Sequence, residues 1–160
     1  MELERAKKEA AGVVAKLQPH CQRIEVAGSI RRGKPFVHDI DIVCIPGNQG
    51  AFLLAVTELG RMVKQGPKIM ERELRSGIHA DIYIADESTW ATLLLIRTGS
   101  KQHNIMLCSR ANAIGMKLHA DGRGLYRVHD TGYETALTCV NEGDIFDHLR
   151  LPYKRPEERG

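Results

Sequence analysis

The sequence predicts an α+β fold: a mixed sheet flanked by helices, followed by a smaller subdomain of helices and a hairpin. Three observations carry this prediction. An amphipathic run opens the chain and stops at Pro19. Two apolar segments that alternate with polar residues, "HDIDIVCI" and "GIHADIYIA", read as strands with one buried face. From residue 86 the pattern changes to longer helical segments around one Gly-rich turn.

Each element has its own signal. Leu3, Ala6, Ala10, Val13, Val14 and Leu17 recur at helical spacing, which predicts a helix over 3–17. "RIEVAG" is a short strand over 23–27, and residues 28–38 are a loop holding Gly28 and several arginines. The "HDIDIVCI" strand follows, then the turn "PGNQG" and a short helix, "AFLLAVTEL", closed by Gly60. Strands over 61–65, 68–75 and 78–84 are separated by "QGP" and "SG". "DESTWATLLLIRTG" is a helix with capping residues at both ends, and a second covers 101–114. "ADGRG" joins a hairpin, Asn141 caps a last short helix with Asp144 in its first turn, and the tail is irregular. The division is therefore 1–85 and 86–160, the second part mostly helical.

Composition excludes several classes. The chain has 160 residues, enough for one domain or two small lobes. Hydrophobic residues make up 42% and charged residues 27%, which excludes wholesale disorder. No apolar run reaches membrane-spanning length, and the charged start lacks the apolar core of a secretory signal. An intracellular protein is expected, cytoplasmic or in another compartment such as the nucleus or a virus-infected cell. Cys21, Cys44, Cys108 and Cys139 match neither a CxxC metal pattern nor a disulfide scaffold, and reduced thiols are expected. A net charge of +3 does not by itself imply nucleic acid. The basic residues do cluster locally: Arg31, Arg32 and Lys34; Arg97, Lys101, His103 and Arg110; Lys154, Arg155 and Arg159. For any one cluster, a solvated surface is the competing explanation.

The carboxylates pose the sharpest question. Residues two apart on a strand share a face, so Asp39 and Asp41 project together, with Ile40 and Ile42 opposite. Two such charges repel unless a cation neutralises them or one is protonated. A hard divalent ion suits an all-oxygen pair. Asp81 lies on the second alternating strand, on one face with His79 and Tyr83; if the two strands are neighbours, it completes a trio able to hold two ions. A short D-x-D is also common on exposed sheet faces. Glu71 and Glu73, alternating with Arg72, are read as such a solvated face. Before the D-x-D strand stands "GSIRRG". Gly28 permits close backbone approach, Ser29 supplies donors, and Arg31 or Arg32 can clamp phosphate oxygens.

Taken together, "GSIRRGK…HDIDIV", "HADIYI", "RTGSKQHNI" and the C-terminal "GLYRV…EGDIFDHLRLPYKRPEERG" resemble the family X DNA polymerases of the nucleotidyltransferase superfamily. The pieces occur in the family's order, and the resemblance runs from the first helix to the tail. It implies a nucleotidyltransferase palm over 1–85 and a C-terminal subdomain over 86–160 that binds DNA and the nascent base pair. Asp39 and Asp41 would bind both Mg²⁺ ions, with Mn²⁺ as the alternative. Asp81 would bind the catalytic ion and assist removal of the primer 3′-hydroxyl proton. Gly28, Ser29 and Arg32 would hold the β- and γ-phosphates, with the His38 amide nearby. Gly99 and Ser100 match a "TGS" turn that often contains a cis peptide, and Asn104 matches an asparagine at the minor-groove edge of the incoming base. Arg97, Lys101, His103 and Arg110, with Lys117 and Arg123, are candidate nucleic-acid contacts.

The sequence departs from the family in places. Ile96 and Arg97 stand where members often have Tyr-Phe, which leaves sugar discrimination open. His79 replaces a frequent arginine two before the third aspartate. The lyase domain and helix-hairpin-helix fingers are expected to be absent, and with them Schiff-base lyase activity, as in minimal viral members. The initial methionine and the ending read as a natural gene product. The expectation is a monomeric DNA-directed DNA polymerase that takes dNTPs on primer-template or gapped DNA, with no membrane partner. The alternatives are a nucleotidyltransferase acting on protein, tRNA or a small molecule, and a non-catalytic nucleic-acid-binding subunit.

Overall fold

The computed structural model describes all 160 residues, Met1–Gly160. The chain divides into two compact units, Met1–Ala85 and Asp86–Gly160. The fold is α+β with a mixed sheet, as the sequence predicts. No helix is long and apolar enough to cross a membrane.

The first unit opens with α1 (Leu3–Leu17), which buries Ala6, Ala10, Val13 and Leu17. Small alanines at two of these positions let the helix approach the sheet closely. Strand β1 (Cys21–Val26) leads into α2 (Gly28–Arg31), a single helical turn. The expected loop over 28–38 is thus corrected at its start. Gly28, at φ +61°, lets the chain turn directly from strand into helix. Strand β2 (Asp39–Pro46) follows, then α3 (Gln49–Thr57), where the Asn48 side chain accepts from the Ala51 amide. Strands β3 (Arg61–Gln65), β4 (Ile69–Glu73) and β5 (His79–Ile84) complete the sheet.

The strand order is β1-β2-β5-β4-β3, with β2 and β5 parallel and every other pairing antiparallel. The two alternating strands of the sequence are therefore direct neighbours at the centre. Ile40, Ile42, Ala80 and Ile82 pack with α1 residues in one core and are fully buried. Each of the three isoleucines contributes about 1.5–3 kcal/mol. Their neighbours Asp39, Asp41, His79 and Asp81 alternate onto the opposite face and are partly exposed. The chain start steadies the segment before β2: the Met1 amino group donates to the Val37 carbonyl (2.9 Å), and the Val37 amide to Met1 (2.8 Å).

The second unit starts with α4 (Trp90–Thr98), which is buried on nearly every side. Its entry turn is organised by the Asp86 carboxylate, which accepts from the Ser88 and Thr89 amides. Helix α5 (Lys101–Ala113) follows. The expected hairpin gains a third strand. Strands β6 (Met116–Leu118), β7 (Leu125–Val128) and β8 (Glu134–Ala136) form a three-stranded antiparallel sheet. Helix α6 (Glu142–His148) has a full capping box between Asn141 and Asp144. Leu95, Leu107, Leu125, Ile145, Phe146 and Leu149 are central to this unit's core.

The tail also differs from its irregular expectation. Residues Pro156–Glu158 form a 3₁₀ turn, and Arg159 is 1% exposed. Its Nη1 donates to Glu142 Oε2 at 2.6 Å, and Nε and Nη2 donate to the Lys154 carbonyl. The guanidinium also lies over Phe146 and Tyr153. Arg159 is a core residue, not part of a solvated basic tail.

Candidate active site

Strand register builds the first unit's polar face. On β2 and β5, Asp39 lies opposite His79 and Asp41 opposite Asp81. Strand β4 continues both rows, placing Glu73 beside His79 and Glu71 beside Asp81. Asp41, Asp81 and Glu71 thus form one transverse row, and Asp39, His79 and Glu73 the next. The trio named from the sequence shares one face of the sheet, and two further carboxylates border it.

Glu71 corrects the reading of its strand as a merely solvated face. Its Oε1 lies 2.5 Å from His79 Nδ1, and both residues are partly buried. That hydrogen bond raises the His79 pKa, and the charges of Glu71, Glu73 and Asp81 add to it against a smaller effect of burial. Arg72, on the other face, is buried and donates to the Lys64 and Glu71 carbonyls. Sequence alternation identified the face of Glu71; the partner came from a strand pairing that alternation does not specify.

The turn after β1 lies against this face. The Ala27 amide donates to the Asp41 carbonyl at 2.8 Å. Gly28 then passes so near the Asp41 carboxylate that a Cβ built on it would overlap Asp41 Oδ2. Glycine is required here both by φ and by contact. Ser29 and Arg32 are partly buried within and just after this helical turn, and the Lys34 amide donates to the Ser29 carbonyl at 3.0 Å. Burial lowers the pKa of the Arg32 guanidinium, while the Asp41 charge opposes that shift. His38 is exposed just ahead of β2.

The donor set suits a hard divalent cation. Asp39, Asp41 and Asp81 present only carboxylate oxygens, and the missing Cβ at Gly28 lets the Asp41 carboxylate lie directly against the backbone of the turn. No group of three or more His, Cys, Asp or Glu side chains is arranged here so as to hold a metal ion by itself.

The second unit holds the remaining named residues. The Gly99–Ser100 peptide is cis, the geometry the resemblance implies. Ser100 Oγ accepts from the His103 amide and caps α5. Asn104 Nδ2 donates to the Ile96 carbonyl at 2.8 Å, while its Oδ1 is buried with no partner. Arg97 is half-buried, Lys101, Lys117 and Arg123 are exposed, and Arg110 Nε donates to the Leu149 carbonyl at 2.9 Å. His103 is corrected. It is 6% exposed, packs against Phe146, and has no partner on either ring nitrogen. Burial, with the charges of Arg159 and Lys154, lowers its pKa to about 4. A neutral, enclosed imidazole is no phosphate contact. Its place in a polar-rich segment concealed this, because α5 has little amphipathic pattern.

Known proteins share this architecture. Residues 93–160 match the family model for the DNA polymerase beta thumb. A solved Leishmania infantum polymerase beta, described as a ternary P/T complex, superposes with a TM-score of 0.83 at 21% identity over 100% of this chain and 76% of that one. The same organism's polymerase beta, described as a ternary gap complex, gives 0.84 at 20% identity over 99% and 70%. The fold is thus polymerase beta-like. Within it, residues 93–160 are similar in sequence to the thumb of that polymerase.

Proposed function

We propose that this chain is a nucleotidyltransferase of the DNA polymerase kind, transferring a dNMP from a dNTP to a primer 3′-hydroxyl, with short-gap filling in repair as its context. The observation that carries this reading is the register of Asp41 against Asp81 on adjacent parallel strands, with Asp39 on the same face and the Gly28 turn beside them. The solved relatives' descriptions as ternary P/T and gap complexes support the choice of DNA as acceptor.

Asp39, Asp41 and Asp81 would hold divalent cations, Mg²⁺ or Mn²⁺. When bound, such ions neutralise phosphate charge and lower the pKa of a coordinated hydroxyl. The chain's own residues do the rest. Asp81 is the carboxylate assigned to receive the 3′-hydroxyl proton. The resulting oxygen attacks the α-phosphorus in line, a new P–O bond forms, and the bond to pyrophosphate breaks. Gly28 gives the triphosphate backbone access, while Ser29 and Arg32 hold its outer phosphates by hydrogen bonds and charge. In the second unit, Asn104 is assigned to the edge of the base, and Arg97, Lys101 and Arg110 to the nucleic-acid backbone.

The test is extension of a labelled primer on one-nucleotide-gapped DNA, with each dNTP alone, in Mg²⁺ and then Mn²⁺. Templated addition that disappears in Asp81→Ala is the expected result. Addition regardless of template would make the activity terminal-transferase-like. No addition with either metal would overturn the stand-alone polymerase.

A further inference from the structure

The core side of the five-stranded sheet, opposite the carboxylates, carries a second feature. A cleft of about 560 Å³ is lined by α1, the end of α3 and the turn between β4 and β5. Arg5, Lys8 and Lys16 line it from a single stripe of α1, and Arg75 from the turn. Glu9 and Glu58 are its acids, so four cations meet two carboxylates. All four cations are exposed, and none is ion-paired to either glutamate. Buried Val13, Leu59 and Leu74 supply the apolar part of the lining.

Gly12 sits in the middle of the basic stripe, inside the helix. Its backbone is helical, and a Cβ placed there would meet nothing within 4 Å. Glycine in a helix interior is destabilising relative to alanine. Neither sterics nor backbone geometry calls for it here. Its effect is to leave the stretch between Lys8 and Lys16 free of side chain. From Arg5 to Lys16 the stripe rises about 16 Å. The Arg5 guanidinium and two ammonium groups along that line, with the Arg75 guanidinium from the turn, match the donor needs of phosphate oxygens.

We infer that this cleft is a second anion site that takes phosphate groups, separate from the carboxylate face. Phosphate could be presented by a nucleic-acid backbone or by a free polyphosphate, and the two call for the same donors. The inference does not depend on polymerase activity, because binding is read without turnover.

The experiment follows the Gly12 amide in ¹H–¹⁵N spectra of the full chain. One arm titrates tripolyphosphate, a second a short single-stranded DNA, and a third poly-glutamate at equal charge. A saturable Gly12 shift with tripolyphosphate alone assigns a free-anion source. A shift with DNA assigns the backbone. Gly12→Glu has room for its side chain and removes a helix-interior glycine, so loss of fold does not confuse the result. It is expected to weaken binding at least about tenfold, whereas Gly12→Ala leaves it intact. Lys8→Gln with Lys16→Gln should weaken it likewise and lower the salt slope by about 1.4 on a single strand. The charge-matched pair Lys7→Gln and Lys68→Gln, outside the cleft, should not. No saturable shift in either phosphate arm, equal loss in both double variants, or poly-glutamate binding as tightly as phosphate would each overturn the inference.

Discussion

On the open face of the five-stranded sheet, Asp39, Asp41, Asp81, Glu71 and Glu73 stand around one imidazole, all partly exposed. In the C-terminal unit, one carboxylate, Glu142, meets one guanidinium, Arg159, and both are out of water. The first arrangement crowds like charges together, although His79 holds Glu71 and Arg61 pairs with Glu73. The second satisfies its guanidinium with a carboxylate, a backbone carbonyl and two aromatic faces. A structural charge finds its partners within the fold. A face on which carboxylates outnumber the cations around them favours a positive ligand from outside, and that distinguishes a site from a scaffold.

Substitution should separate the two. Asp39 has no hydrogen-bond or ion-pair partner and lies beside Asp41 on the same strand face. Asp39→Asn is therefore expected to cost about 10⁴-fold in nucleotide addition, or ~5.5 kcal/mol of transition-state stabilisation. Its thermal midpoint should stay level or rise, because one of several like charges has gone. A cooperative drop in midpoint with activity retained would turn this face into scaffold and erase the contrast.

Glu142→Gln should do the reverse. It leaves Arg159 buried without its counter-charge, which typically costs about 3–5 kcal/mol. Denaturant unfolding would measure this directly. Replacing both partners with apolar residues of similar size should restore much of the loss. If the single variant is neutral, the buried pair is not what anchors the tail.

His103 extends the comparison to pH. Its folded pKa, about 4, lies below the ordinary histidine value. The folded state thus favours the neutral ring, and the group's contribution is fully present above pH 6.5. Stability is lost as pH falls from 6.5 through 4, by about 3 kcal/mol in all. Unfolding followed from pH 7 to 4 should show this slope, and His103→Phe should flatten it. An unchanged slope in that variant would mean that other groups govern the acid limb.

Much of this was legible before the structure. The periodicity of α1, the alternation in β2 and β5, and the Asn141 cap are local patterns, and each element forms where those patterns lie. The shared face of Asp39 and Asp41 follows from strand geometry alone. What was hidden depends on partners distant in sequence. Strand β8 is three exposed residues with no apolar alternation, and it exists because β7 offers an edge. Arg159 reads as a tail charge until Glu142, Phe146 and Tyr153 surround it. Glu71 reads as solvated until β4 sets it beside β5, and the basic cleft joins α1 to a turn some sixty residues later.

The smallest effect tests the same contrast at the sheet's edge. Arg61 pairs with Glu73 across β3 and β4, the arginine exposed and the glutamate partly so. In geometry this is an ion pair like Arg159–Glu142, with its charges opposed and in contact. It differs in solvent: water screens both partners, and the long side chains lose freedom when they pair. Arg61→Ala is accordingly expected to leave the melting midpoint unchanged within replicate error, in low salt as in high. A clear, salt-sensitive drop would show that the charges on this face are held as firmly as those in the core. The acidic face would then be a structural network, and the case for an external cation there would weaken with it.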